Sequence, residues 1–224
     1  MRIRKVRLWC GDLAAAQAFY GELIRLPVAS QSADSLSFQT GESELTFCLA
    51  KTAPAEYHFA WNIPPNQIQS AREFLMRMVP EATDGVIHTF ESWNAEAIYF
   101  RDPFGNIAEF IARHDLEVQD HEPFDGCAVL EISEVGIVTS HVRSTVDRLV
   151  QTFELDLFRT CDRSDDFQAV GDDHGLFIVV REDRPWFSSE LKARSTQVEM
   201  TITGAKSGRF VSTDARLTVT SLGM

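Results

Sequence analysis

No stretch of the 224 residues is long, apolar and free of charge, so the sequence offers no segment that would cross a bilayer as a helix. Cysteine is scarce and scattered: Cys10, Cys48, Cys127 and Cys161 form no C-x-x-C pair, which predicts reduced, mostly buried thiols rather than a disulfide framework. Positive charge is also in short supply. Against 33 acidic residues stand 21 Lys and Arg, a net charge of -12 at pH 7, and such a surface repels phosphate backbones and anionic lipid. Neither a nucleic acid nor a membrane is an expected partner. The opening Met1-Arg-Ile-Arg-Lys-Val enters an alternating strand pattern without the apolar centre of a signal peptide, so a cytoplasmic location is the expectation. What is present, 44% hydrophobic residues in 25.2 kDa, suits a globular protein of one large domain or two small ones.

The most informative segment runs from Ala95 to His114. Asp102-Pro103-Phe104-Gly105-Asn106 is strong turn chemistry: Pro presets φ, Gly admits positive φ, and Asp and Asn bond their own backbone. Both flanks therefore read as strands of a hairpin. Side chains alternate along a strand, which places Glu109 on one face with Ile107 and Ile111. A carboxylate between isoleucines needs a metal, a cation or a ligand donor as partner.

The order of elements repeats. Residues 4–8 read as a strand, Asp12 as an N-cap, and Leu13, Phe19, Tyr20, Leu23 and Ile24 as a helical stripe, with short strands following to about residue 50. The second unit has a strand at 57–63, a helix opened by Pro64-Pro65 and strands to Ile111. Residues 116–126 are charged and turn-rich and read as a linker. A third unit has a strand at 132–139, a helix from Ser140 and strands to Arg181. The remaining residues, with β-like stretches at 196–203 and 216–220, are too few for another strand, helix and three strands.

Strand, Asp-Pro-x-Gly-Asn, strand with Glu, set in repeated βαβββ units, resembles the vicinal oxygen chelate (VOC) superfamily of glyoxalases, bleomycin-resistance proteins and extradiol dioxygenases. The resemblance implies an α+β fold of paired βαβββ modules forming curved mixed β-sheets with helices on the outer face. It implies a complete domain at 1–115 built from the first two modules, a linker at 116–126, and a truncated second domain at 127–224 with one full module and a short β tail.

Alternation within the strands places Lys5, Arg7, Trp9, Glu44, Thr46, Cys48, His58, Asn62 and Glu109 on inner faces, and Val6, Leu8, Leu45, Phe47, Leu49, Phe59, Trp61 and Ile63 on outer ones. The first two modules are expected to share one curved sheet, so those inner faces line one cleft, with Trp93 at its lip. By resemblance, His58 and Glu109 fall on ligand positions for a divalent metal (Fe, Zn, Mn or Ni), and Glu44 or Thr46 near a third. The remaining position is Lys5, which as a cation cannot ligate a metal and could replace it electrostatically. Glu134 occupies the place in the third module that corresponds to His58, but no Glu lies within 176–180, so the truncated half reads as a scaffold or dimer surface. Two functions follow. One is a VOC-type lyase or dioxygenase with His58 and Glu109 at its centre, acting on a small anionic or carbonyl-bearing substrate held by Lys5, Arg7, Trp9, Asn62 and Trp93. The other is a metal-free protein that sequesters a small molecule, in the style of the bleomycin-resistance members. The concave face of the third module is expected to be covered by the first domain, by the tail at 196–220 or by a second subunit in a homodimer.

Overall fold

The computed structural model describes every residue except Ala53, Ala55, Cys161, Ser188 and Met224. Its elements follow the repeated order. The first module is β1 (Arg2–Cys10), a helical segment, β2 (Val28–Gln31), β3 (Ser35–Thr40) and β4 (Ser43–Leu49). The helical segment begins as α1 (Leu13–Ala16), where the Asp12 side chain accepts from the Ala14 and Ala15 amides, and continues as a π-helical stretch, Gln17–Leu23. The second module is β5 (His58–Ile63), α2 (Ile68–Met78), β6 (Ile87–Phe90), β7 (Ala95–Arg101) and β8 (Ile107–Arg113). The third is β9 (Glu131–Thr139), α3 (Val142–Phe153), β10 (Phe167–Asp172) and β11 (Gly175–Arg181), with a bridge from Leu157 to Val170 standing in for the remaining strand. Among its described residues the tail holds three strands and no helix: β12 (Val198–Thr203), β13 (Gly208–Val211) and β14 (Leu217–Ser221).

Within each unit the first and last strands pair in parallel: β1 with β4, β5 with β8, β9 with β11 and β12 with β14. That leaves one free edge on each first strand, and the antiparallel pairing of those edges decides the architecture. β5 pairs with β9, and β1 pairs with β12. The sequence expectation that the first and second modules share a sheet is therefore corrected. The second module joins the third in the order β6-β7-β8-β5-β9-β11-β10, and the first joins the tail in the order β2-β3-β4-β1-β12-β14-β13. The two sets of strands are joined in one sheet where β1 pairs with β9 at Ile3 and Ile132. Alternation fixes the two faces of a strand and not the partner of its edge, so it does not say which module a free edge will find.

The outer faces form one core. Val6, Leu8, Leu45, Phe47, Phe59, Trp61 and Ile63 are fully buried there, as the alternation implies, whereas Leu49 at the end of β4 is exposed. Trp61 stacks on Phe100 and meets Phe59 and Tyr20 edge-on, all beneath the helices. The Asp102–Asn106 turn is pinned into this core. Asp102 Oδ1 accepts from the Phe104 and Asn106 amides, its Oδ2 accepts from Tyr20 Oη at 2.6 Å, and Asn106 Oδ1 accepts from the Tyr57 amide. Gly105 takes φ 83°, the left-handed conformation this turn requires. The turn thus fixes β8 alongside β5, which sets the register of Glu109. Of the thiols, Cys10 and Cys48 are buried, Cys127 is exposed, and Cys161 lies outside the described residues. Among the described residues, no helix is long and apolar enough to cross a membrane.

Candidate metal centre

β5 is buried on both faces because the core lies under one and a cavity lies over the other. His58 and Ala60 project toward the cavity. In the parallel register Ala60 pairs with Glu109 of β8, and in the antiparallel register it pairs with Glu134 of β9. One small residue thus has a carboxylate on either side, with the His58 imidazole two positions away on the same face. His58 Nε2 lies 3.7 Å from Glu109 Oε2 and 3.7 Å from Glu134 Oε2. The three ligand atoms all lie within 4.8 Å of one another, and all three residues are buried.

The supporting contacts set the state of each group. His58 Nδ1 is 3.2 Å from the Ile107 carbonyl oxygen. A carbonyl can only accept, so Nδ1 carries a proton, and Nε2 is the ring nitrogen turned toward the carboxylates, the one left to bond Glu134 or to ligate a metal. Arg113, fully buried at the end of β8, donates through Nη2 to Glu134 Oε1 and through Nε to Ser133 Oγ, and lies over the Trp93 and Phe158 rings. Burial pushes the Glu134 carboxyl up, but the His58 hydrogen bond and the Arg113 charge outweigh it and hold the group below the ordinary carboxylate range. Glu109 goes the other way. Burial pushes its carboxyl well above the ordinary range and the Glu134 charge adds to this, while Arg113 and a hydrogen bond from Tyr99 oppose it. Burial also pushes the Tyr99 phenol well up. Two carboxylates and one guanidinium leave an unbalanced negative charge in an apolar site, which a proton or a cation must compensate.

A cavity of about 250 Å³ opens over the triad. Each of the seven strands contributes to its lining, in sheet order Phe90, Tyr99, Glu109, His58, Glu134, Ile178 and Phe167, with Ile107 and Ile111 beside Glu109 on β8. The sheet therefore curls around the cavity. Trp93 and the segment after β11, with Arg184, Trp186 and Phe187, complete the wall. The registers also identify the place where a fourth ligand would stand. Glu109 pairs with Ala60, two residues after His58, and Ile178 pairs with Gly136, two residues after Glu134. Ile178 is thus the counterpart of Glu109, so the fourth corner is apolar.

His58, Glu109 and Trp93 come together as the sequence analysis expected, but the other expected site residues do not join them. Lys5 and Glu44 pair across β1 and β4 at 3.6 Å, and Arg7 meets Glu199 at 3.3 Å, all on the first module's sheet. They line a separate open groove with Ser37, Thr46, Thr201 and Thr218. Lys5 therefore does not stand in for a ligand of this centre, and Glu44 is not its third carboxylate. Trp9 lies on the same sheet, its amide donating to Tyr57 Oη. Asn62 is buried farther along β5, donating to the Asp173 carbonyl rather than lining the cavity. The third carboxylate is Glu134, in the half that looked like a scaffold. It was visible in the sequence as the counterpart of His58; the missing information was that β9 pairs with β5.

No family model matches the sequence, and no curated protein matches it. Solved structures do. A protein of Bacillus subtilis subsp. subtilis str. 168, described provisionally as a dioxygenase, superposes with TM-score 0.68 at 13% identity over 99% of this chain and 85% of its own. A glyoxalase I variant of Zea mays superposes with TM-score 0.65 at 11% identity over 98% of this chain and 93% of its own. A second Zea mays glyoxalase I variant gives TM-score 0.62 at 11% identity, covering 98% and 92%. The chain has a glyoxalase-like fold, with paired modules and a mixed, curved sheet. On that fold it carries a His/Glu/Glu cluster of the kind that can hold a divalent ion.

Proposed function

We propose that this protein is a metal-dependent enzyme of the glyoxalase–dioxygenase kind, working in the cavity between its second and third modules on a small, largely apolar substrate. The observation that carries this reading is the convergence of His58 Nε2, a Glu109 oxygen and a Glu134 oxygen within 4.8 Å in a buried pocket. The donor set fits the group: one imidazole and two carboxylates suit Mn, Fe, Co, Ni or Zn, and an apolar fourth corner leaves coordination positions for substrate oxygens and water. When bound, such an ion supplies Lewis acidity toward a carbonyl or a pair of neighbouring oxygens.

The chain's own residues do the rest. The Ile107 carbonyl holds the His58 tautomer, and Arg113 fixes the Glu134 carboxylate. Phe90, Trp93, Phe167, Trp186 and Phe187 exclude water and present flat apolar faces. The Glu109 carboxyl, pushed up by burial and bonded to Tyr99 Oη, is the group of the cluster suited to take a proton from a substrate carbon or hydroxyl and return it. An apolar cavity of about 150 Å³ already accepts benzene, so about 250 Å³ accommodates one substituted ring rather than a polymer.

A second reading is a metal-free binding protein of the bleomycin-resistance type. It is favoured by the cluster's ability to balance itself with Glu109 protonated and Glu134 paired to Arg113 and His58. Calorimetric titration of chelator-treated protein with Mn, Fe, Ni and Zn separates the two. Stoichiometric uptake, abolished in His58→Ala, supports the enzyme; no uptake of any of these ions supports the binding protein.

A further inference from the structure

The chain between β11 and β12, residues 182–197, belongs to no module. Its described residues form a short hairpin, with a bridge from Pro185 to Lys192 and Trp186 donating its amide to the Leu191 carbonyl, and Arg184, Trp186 and Phe187 close one side of the cavity over the triad. Its position is set from below. A Cβ added at Gly136 would lie 2.7 Å from Trp186 Cη2, so only glycine lets the end of the Trp186 indole approach β9 beside His58, with ring centroids 5.1 Å apart. Leu191 and Ala193 pack with Trp186 against Ile107, Ile178 and Val180. This anchoring makes the hairpin a built wall of the cavity.

Arg184 is carried on this wall. The guanidiniums on either side of it are paired, Arg181 with Asp166 at 3.1 Å and Arg194 with Asp183 at 2.7 Å. Arg184 has no carboxylate partner among the described residues. It lies over the Phe167 ring at 5.2 Å, donates to its own neighbour's carbonyl, that of Pro185, at 3.3 Å, and lines the cavity while partly exposed, where the cavity meets solvent. The cavity's other charged residues are the triad. Glu109 and Glu134 would repel an anion at the inner end, so a negative group on a ligand is steered to the outer one. Between the two ends the lining is aromatic with three isoleucines, Ile107, Ile111 and Ile178.

We infer that the ligand of this cavity is an aromatic anion, a single ring carrying a carboxylate or similarly charged oxygen group that Arg184 grips at the cavity mouth while the ring lies among Phe90, Trp93, Phe167 and Phe187. The inference rests on the cavity being the ligand site, as proposed above, but not on the metal. Arg184 is a specificity residue: its fork bonds a carboxylate in a bidentate manner and its stacking on Phe167 presets the fork.

Benzoate and benzyl alcohol test this, since they share a ring and differ in charge. Binding of each to chelator-treated wild type, Arg184→Met and Arg184→Lys is measured by calorimetry and by quenching of tryptophan fluorescence. The expected result is benzoate bound about tenfold more tightly than benzyl alcohol by wild type, a preference erased in Arg184→Met, partly kept in Arg184→Lys and reduced by added salt. Equal binding of the two probes by wild type, a preference that survives Arg184→Met, or no binding of either probe would each overturn the inference. Metal titration of the same three proteins keeps the two readings apart. Unchanged uptake with a lost benzoate preference concerns Arg184 alone, whereas lost uptake in wild type concerns the metal reading alone.

Discussion

Glu109 and Glu134 flank the same residue: both pair with Ala60, one across the parallel ladder of β5 and β8 and the other across the antiparallel ladder of β5 and β9. The methyl group of Ala60 is all that stands between the two carboxylates on that face, and it is fully buried. Replacing it with leucine drives side-chain bulk into the space the ligand atoms share. The expected outcome for Ala60→Leu is a folded protein about 1–3 kcal/mol less stable, as for other overpacked cores, with metal uptake lost. Chemical denaturation and metal titration check the two parts separately.

The buried ion pair between Arg113 and Glu134 gives a second prediction. Removing one partner leaves the other charged and unsolvated, which typically costs about 3–5 kcal/mol, whereas removing both costs much less. Arg113→Met is expected to be strongly destabilised, and the double variant Arg113→Met, Glu134→Gln to recover most of that loss. A double-mutant cycle in urea unfolding measures the coupling directly.

Stability of the metal-free protein should depend on pH through Glu109. Its folded-state pKa is raised, so the stabilisation it gives is fully present below the unfolded carboxyl value of about 4.3 and is lost as pH rises through the folded value. Glu109→Gln never ionises and escapes that loss. Between mildly acidic and neutral pH the chelator-treated wild type should therefore lose stability relative to Glu109→Gln, the gap widening with pH; thermal unfolding at a series of pH values reads it.

The hairpin that closes the cavity supplies a fourth. Gly136→Ala places a methyl group against the rigid end of the Trp186 ring, and the indole has to move off the sheet. A loss of about 1–3 kcal/mol is expected, together with red-shifted tryptophan emission as Trp186 becomes hydrated. Unchanged emission would show that the ring is not held as described.

Much of this was legible in the sequence, and what was not has a common cause. Asp102-Pro103-Phe104-Gly105-Asn106 announces the β7–β8 hairpin because its turn chemistry is local, and the isoleucines around Glu109 mark it as an inward carboxylate. The inner positions of Lys5, Arg7 and Glu44 were also readable from alternation. Which inner faces meet was not. That depends on whether the free edge of β5 takes β1 or β9, a choice made by the whole packed assembly rather than by either strand. The same choice moved Lys5 and Glu44 out of the site and brought Glu134 in. Arg184 and Trp186 lie in a segment without periodicity, and only the folded hairpin shows what they face.

The most direct test is metal content measured after reconstitution of five proteins in parallel: wild type, His58→Ala, Glu109→Gln, Glu134→Gln and Glu44→Gln. A centre built across the second and third modules predicts near-stoichiometric metal in wild type and Glu44→Gln, and a loss of at least about tenfold in affinity in each of the other three. Metal retained by Glu134→Gln and lost from Glu44→Gln would contradict the account, as would a wild type that takes up no divalent ion at all.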